Sequence, residues 1–295
     1  MKAGWTASDM PSQAGRTWLI TGATHGIGLA AAQAASAAGA TLVLAVRDVA
    51  KGHAVASALA GAASVVELDL ASLASIRRAA AATPEVDVLV NTAGRVATRR
   101  METEDGFECL LGTNALGPFA YTNLVADRVR DRVVIVASGA HKSGTLDFDD
   151  PHFERRRWSV GAAYAQSKLA DLVWGFGLSR RLVGRDVQLC HPGWAGTNIS
   201  SVTGKARLDR VIAAVNGLVG QSAAQGAEPT LFAATQDLPP CSYVGPDGWR
   251  EFRGHPRLVG RTAAASDPAL ADRFWAFAVE ATGTDLAVSQ AGQPS

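Results

Sequence analysis

Residues 17–48, TWLITGATHGIGLAAAQAASAAGATLVLAVRD, run from an apolar stretch through a glycine turn and an alanine-rich stretch into a second apolar stretch. The first apolar run, Thr17–Thr21, leads directly into Gly22, Thr24, His25, Gly26, Ile27 and Gly28. Glycines let the backbone turn sharply and approach a ligand closely, and the N-terminus of the following helix favours an anion there. The spacing differs from the general GxGxxG fingerprint, so the reading rests on context: strand before, helix after, first unit of the chain. A strand–turn–helix–strand of this kind cradles a pyrophosphate.

The same alternation continues outward. Apolar runs at Thr41 to Val46, Ser64 to Leu68, Val86 to Asn91, Arg132 to Ser138, Val187 to His191 and around Ser242 to Val244 read as strands. Between them helices are predicted near 26–38, 50–60, 72–82, 104–129, 162–183, 223–235 and 267–281. Such alternation implies right-handed βαβ crossovers, hence an α/β Rossmann fold: one doubly wound parallel sheet of about seven strands with helices on both faces. The domain is expected over residues 16–283, with a frayed, flexible extension at 1–15 and a flexible tail at 284–295. The Gly/Ser-rich interval inside 194–225 begins just past a strand, where open α/β sheets place ligands, and reads as a substrate cover or an ordinary surface insertion.

The 295 residues, 47% of them hydrophobic, can bury one large core. With 28 basic against 27 acidic side chains, the formal charge of +1 calls for no nucleic-acid or acidic-membrane partner. Arg155, Arg156 and Arg157 read as a solvated loop. Cys109, Cys190 and Cys241 are too scattered for a disulfide framework, no histidine spacing suggests a metal, and a cytoplasmic setting is expected. The uncharged stretch Leu29 to Val46 divides into a helical and a strand half, so no membrane span is expected.

At the second strand end, where an acidic side chain would hydrogen-bond a ribose 2′-hydroxyl, Val46 is followed by Arg47. A guanidinium suits a 2′-phosphate, so NADP(H) is favoured over NAD(H). Asp48 can pair with Arg47, cap the next helix or face the ribose. Asp69 and Leu70 after the third strand, and Asn91, Ala93 and Gly94 after the fourth, read either as plain strand-to-helix turns or as a cofactor wall.

Tyr164 and Lys168 stand four apart in AAYAQSKLADLVW, which places them on one helix face. A free phenol titrates near about 10, and a neighbouring ammonium lowers that by stabilising the phenolate, each unit being roughly 1.4 kcal/mol. Such a tyrosine exchanges a proton near neutral pH. Taken singly, Tyr164, Ser138 and Asn114 are also ordinary helix, strand-end and helix residues. Trp158, Trp174 and Trp194 read as core or interface, Trp194 having the best claim to touch a substrate.

With TGATHGIG, NTAG, Ser138, YAQSK and the His191-Pro192-Gly193 turn in order, the chain resembles a short-chain dehydrogenase/reductase over nearly its whole length. Ala45-Val46-Arg47, Ser138-Gly-Ala-His141, the long interval from Ser138 to Tyr164 carrying LDFDD, and YVGPDGWREFRGHP resemble the retinol-dehydrogenase-like branch. The resemblance implies a catalytic Ser138, Tyr164, Lys168 and Asn114. Tyr164 is then the general acid/base, Ser138 polarises the substrate oxygen, Lys168 holds the nicotinamide ribose, and Asn114 anchors a relay water. Tyr164 and Lys168 belong to the cofactor site as well, and Pro192, Gly193 and Thr197 match the segment that steers the nicotinamide. Thr92 and Ala137 depart from the common family pattern by small replacements. The expected activity is interconversion of a carbonyl and an alcohol on a small apolar substrate, with a homodimer or homotetramer formed through helices 104–129 and 162–183. The alternatives are a non-catalytic dinucleotide sensor of the same fold and a reductase of carbon–carbon double bonds.

Overall fold

The computed structural model describes residues 4–194 and 221–287. One sheet holds β1 (Thr17–Thr21), β2 (Thr41–Val46), β3 (Ala63–Glu67), β4 (Val86–Asn91), β5 (Val129–Val136), β6 (Asp186–Cys190), β7 (Tyr243–Pro246) and β8 (Pro256–Leu258). Their order is β3-β2-β1-β4-β5-β6-β7-β8, parallel throughout except for the antiparallel β7–β8 pair. Along β1, Trp18 and Ile20 enter one core and Leu19 the other, and all three are fully buried. Burial on both faces explains why these strands read as unbroken apolar runs.

The helices are α1 (Gly26–Ala37), α2 (Val49–Ala58), α3 (Leu73–Ala82), the single turn α4 (Cys109–Leu111), α5 (Gly117–Val125), α6 (Val160–Ser179), α7 (Ala223–Thr235) and α8 (Pro268–Thr282). Several begin at side-chain caps: Asp48, Ser72, Ser159, Ser222 and Asp267 each accept a backbone N–H of the first turn. Alanines of α1 and Leu231 and Phe232 of α7 cover one sheet face. Ile76 of α3, Phe119 of α5, Trp174 of α6 and Phe274 of α8 cover the other. Strand order reverses at β1, which lies between β2 and β4, so the loops leaving β1 and β4 diverge and open a crevice at their carboxyl ends.

Four expectations need correction. The sheet has eight strands rather than about seven; β8, three residues with Pro256 at its start, carries no alternation to reveal it. The helix expected over 104–129 is broken up: residues 102–108 form a turn closed by a Glu102–Glu108 bridge, with Gly106 at φ 83°. The fully buried Glu108 carboxylate then accepts from Leu110 N and Leu111 N and starts α4, a π-helical turn fills Gly112–Leu116, and β5 begins at Val129. Residues 4–15 are docked instead of frayed, because the Trp5 ring meets Phe232 edge-on at 5.3 Å and Gln13 Oε1 accepts from Trp18 Nε1 at 3.1 Å. Arg156 is anchored where a solvated loop was expected, its guanidinium 3.7 Å over the Phe153 ring and its amide on Asp150, while Arg155 and Arg157 are exposed. Most of the segment 194–225, including Thr197, lies outside the described residues. Among the described residues no helix is long and apolar enough to cross a membrane.

Candidate active site

The crevice is built by contacts that only small residues permit. Gly22 and Gly26 have φ values of 72° and 57°, and Gly22 packs so that a Cβ would lie 2.9 Å from Ala93 Cα. A Cβ on Gly28 would lie 2.6 Å from Gly22 O and 2.8 Å from Thr92 Oγ1. Thr21 Oγ1 accepts from Thr92 N and Ala93 N at 3.1 Å each, and Thr92 Oγ1 donates to Thr21 O. The loops after β1 and β4 are thus joined at their base, and Thr92 is part of the joint. At the start of α1, His25 is exposed and makes no side-chain cap, and among the described residues no side chain accepts from the first-turn N–H groups. Thr24 Oγ1 lies 3.3 Å from His25 Nδ1, and Ile27 is half-buried beside them.

Beyond β2, Arg47 is exposed and among the described residues has no hydrogen-bond or ion-pair partner. Asp48 takes one of its three open roles: it caps α2 through Lys51 N at 3.0 Å, with Lys51 Nζ at 2.9 Å. Half-buried Asp69 turns one carboxylate oxygen onto Ala71 N at 2.9 Å. Leu70 is buried, and its carbonyl lies against Gly117, where a Cβ would come to 2.3 Å. Asn91 faces the sheet's interior, its Nδ2 donating to Thr122 Oγ1 at 3.0 Å, so its side chain serves packing. Gly94 is exposed at the crevice, and a Cβ on it would lie 3.5 Å from Asn114 Oδ1 and 3.8 Å from Lys168 Nζ.

The four expected catalytic residues lie on three elements, and two of them, Asn114 and Lys168, flank that point. Ser138, two residues past β5, starts a 3₁₀ turn in which its Oγ accepts from Ala140 N at 3.2 Å. Asn114, in the π-helical turn, accepts from Arg95 N at 2.8 Å and donates to Arg95 O and Ser167 Oγ. Tyr164 is half-buried on α6, packed against the small cluster of Ala97, Leu110, Phe153 and Ala163; among the described residues its hydroxyl has no hydrogen-bond partner. One turn on, Lys168 Nζ donates to Val136 O at 3.1 Å and to Asp171 Oδ2 at 2.7 Å. Burial works against the Lys168 charge, but Asp171 and then the Tyr164 oxygen outweigh it, so the ammonium holds its proton more firmly than usual. Sequence reading missed Asp171: three positions past a lysine on an apolar helix, it looks like any interior polar residue.

After β6, His191 is buried, and Gly193 N donates to its Nδ1 at 3.2 Å. That bond leaves the ring proton on Nε2, which stands 3.2 Å from Glu251 Oε2. Lys142 Nζ reaches the same carboxylate oxygen at 2.9 Å, and His191 and Lys142 hold the Glu251 carboxyl down to about 2. Gly193 has φ 73° and no room for a side chain between Gln221, Phe252 O and Pro246. Gln221 Nε2 donates to Pro192 O at 2.5 Å. Glu251 and Gln221 lie far along the chain from the turn they brace, and no spacing announced them. Exposed Trp194 tilts over Phe252 at 5.7 Å, whose other neighbour is Trp249. Cys109, Cys190 and Cys241 are free and buried.

The switch-point crevice with its glycine cradle defines a dinucleotide-binding doubly wound α/β protein. Residues 16–149 match the family model described as short chain dehydrogenase. Human (Homo sapiens) retinol dehydrogenase 13 is 35% identical over 95% of this chain and 89% of its own length. A solved structure of an uncharacterised protein from Mycobacterium Paratuberculosis is 42% identical, with TM-score 0.84 over 97% of this chain and 100% of its own. A blue fluorescent protein from a metagenomic library, solved in complex with NADPH, is 25% identical, with TM-score 0.60 over 77% and 93%. The chain belongs to the short-chain dehydrogenase/reductase family, in its retinol-dehydrogenase-like branch. That membership makes it an oxidoreductase of CH–OH and C=O groups that uses a nicotinamide dinucleotide.

Proposed function

We propose that the protein interconverts a carbonyl and an alcohol on a small apolar substrate with NADP(H), Tyr164 acting as general acid/base. The observation that carries this is the pairing on α6 of a half-buried phenol, without a hydrogen-bond partner among the described residues, with a buried, firmly charged ammonium one turn away. A dinucleotide fits the crevice: Gly22, Gly26 and Gly28 clear the space that side chains would fill, and the uncapped start of α1 offers N–H groups to its phosphates. When bound, the nicotinamide supplies or accepts the hydride.

Everything else falls to the chain's own side chains. Tyr164 gives its proton to the substrate oxygen in reduction and takes the alcohol proton in oxidation. Ser138 keeps a hydroxyl hydrogen for that oxygen, since its Oγ is an acceptor toward Ala140 N. Lys168 has spent two donors on Val136 O and Asp171 and keeps a third for a ribose hydroxyl. Asn114 anchors the Arg95 backbone beside Gly94, and its Oδ1 keeps a second lone pair for a relay water. The Arg47 guanidinium, without a partner among the described residues, favours the 2′-phosphate, with Asp48 already engaged as a cap. Trp194 and Phe252 offer an apolar wall next to the Pro192-Gly193 turn.

Product analysis with NADPH and NADH over aldehydes, ketones and enones, with Tyr164→Phe as the blank, tests the reading. Carbonyl reduction lowered about a hundredfold or more in Tyr164→Phe, with cofactor binding retained, is expected for loss of a general acid. Near-normal turnover by that variant removes Tyr164 from the chemistry. Binding without turnover favours a sensor, and saturated products from enones favour a double-bond reductase.

A further inference from the structure

Only two charges are buried at the heart of α6, and they face each other. Lys168 is 6% exposed and Asp171 2%, with 2.7 Å between Nζ and Oδ2. Asp171 Oδ1 accepts from Trp174 Nε1 at 3.3 Å, so the carboxylate is held from both sides. Cys190 from β6 and Tyr243 from β7 also face this pair; burial pushes the thiol up to about 12 and the phenol well above its ordinary range, so both are neutral. Glu251 and Arg261 act on Tyr243 in turn, while Asn114 and Ser167 bring no charge. Tyr164 is the remaining titratable group that the Lys168 charge reaches.

We propose that Asp171 is a positioning residue that sets the proton affinity of Tyr164 by holding the Lys168 ammonium inward and offsetting its charge. An ammonium alone in a low-dielectric interior acts strongly on a phenol one turn away, whereas an ammonium clamped to a carboxylate acts as a dipole whose field falls off faster. Burial lifts the Asp171 carboxyl up to about 6, so the offset is in place at neutral pH and fades as the solution becomes acidic. The inference rests on Tyr164 being the proton-transferring group, but its test does not depend on turnover.

The chain has three tyrosines, and Tyr121 and Tyr243 are buried, with the Tyr121 phenol pushed up to about 12. Carbon-13 NMR of protein labelled at tyrosine Cζ therefore separates Tyr164 from the two buried phenols, which stay protonated to higher pH. Asp171→Asn keeps the shape and an acceptor for Trp174 but removes the charge. The Tyr164 midpoint is expected to fall by about one pH unit, a tenfold change, with the alkaline limb of the kcat/KM profile moving the same way. An unchanged midpoint overturns the proposal. Lys168→Met/Asp171→Asn leaves no buried charge unpaired and gives a second arm should the single variant not fold. Its midpoint is expected to rise by less than about two units, the reduced pull that an offset lysine keeps, whereas a rise of about two units or more shows that the lysine acts without an offset and overturns the proposal. Because Tyr164→Phe separately decides whether Tyr164 transfers the proton, failure of the offset and failure of the functional reading give different results.

Discussion

Gly245 on β7 lies against the His191 ring so closely that a Cβ at position 245 would stand 2.1 Å from His191 Nε2. His191 follows β6 and ties the Pro192-Gly193 turn to Glu251, so this one glycine lets a buried histidine brace the edge of the crevice. Gly245→Ala forces the ring away from Glu251. The expected cost is about 1–3 kcal/mol of stability, as for overpacking elsewhere, read as a lower midpoint in urea unfolding. A parent-like midpoint means that the ring moves aside freely.

Glu251 gives a pH signature. Its carboxyl titrates normally at about 4.5 and is held down to about 2 in the fold by His191 first and Lys142 second. A depressed carboxyl contributes stability that is present above 4.5 and lost as pH falls toward 2. The stability difference between the parent protein and Glu251→Gln should therefore be level above pH 5 and shrink steadily below about 4.5. A difference independent of pH contradicts the ionic role.

Gly28 closes the phosphate end of the crevice. A methyl group there meets Gly22 O at 2.6 Å and Thr92 Oγ1 at 2.8 Å, both of them in the joint between the β1 and β4 loops. Gly28→Ala should weaken dinucleotide binding by about tenfold or more in a fluorescence titration, because the backbone N–H groups lose their alignment. Parent-like affinity would place the cofactor elsewhere.

Arg47 stands exposed just past β2, and among the described residues nothing makes a claim on its guanidinium. Arg47→Ala should weaken NADPH by about tenfold to a hundredfold, as expected for a lost charge-assisted hydrogen bond, and leave NADH nearly unchanged. Equal losses for both dinucleotides exclude a contact with the 2′-phosphate.

Much of this architecture was legible from local pattern. The unbroken apolar strands, the alanine-rich helices, the glycines after β1 and the spacing of Tyr164 and Lys168 each satisfy a requirement that neighbouring residues meet among themselves: burial on two faces, a positive φ, one helix face. Ser138 was legible only because β5 ends just before it.

What only the tertiary structure decided depends on partners distant in the chain. Trp5 is docked because Phe232 waits on α7, and Glu108 starts a helix where sequence pattern ran one straight through. Asp171 became the counter-charge of Lys168 once α6 turned both inward, and Glu251 met His191 and Lys142 only when β7 and the loop after it returned to the sheet. Hydrophobic period and glycine placement are properties of a short window of chain. The charge state and orientation of a buried side chain are set by whatever the fold brings within a few ångströms of it.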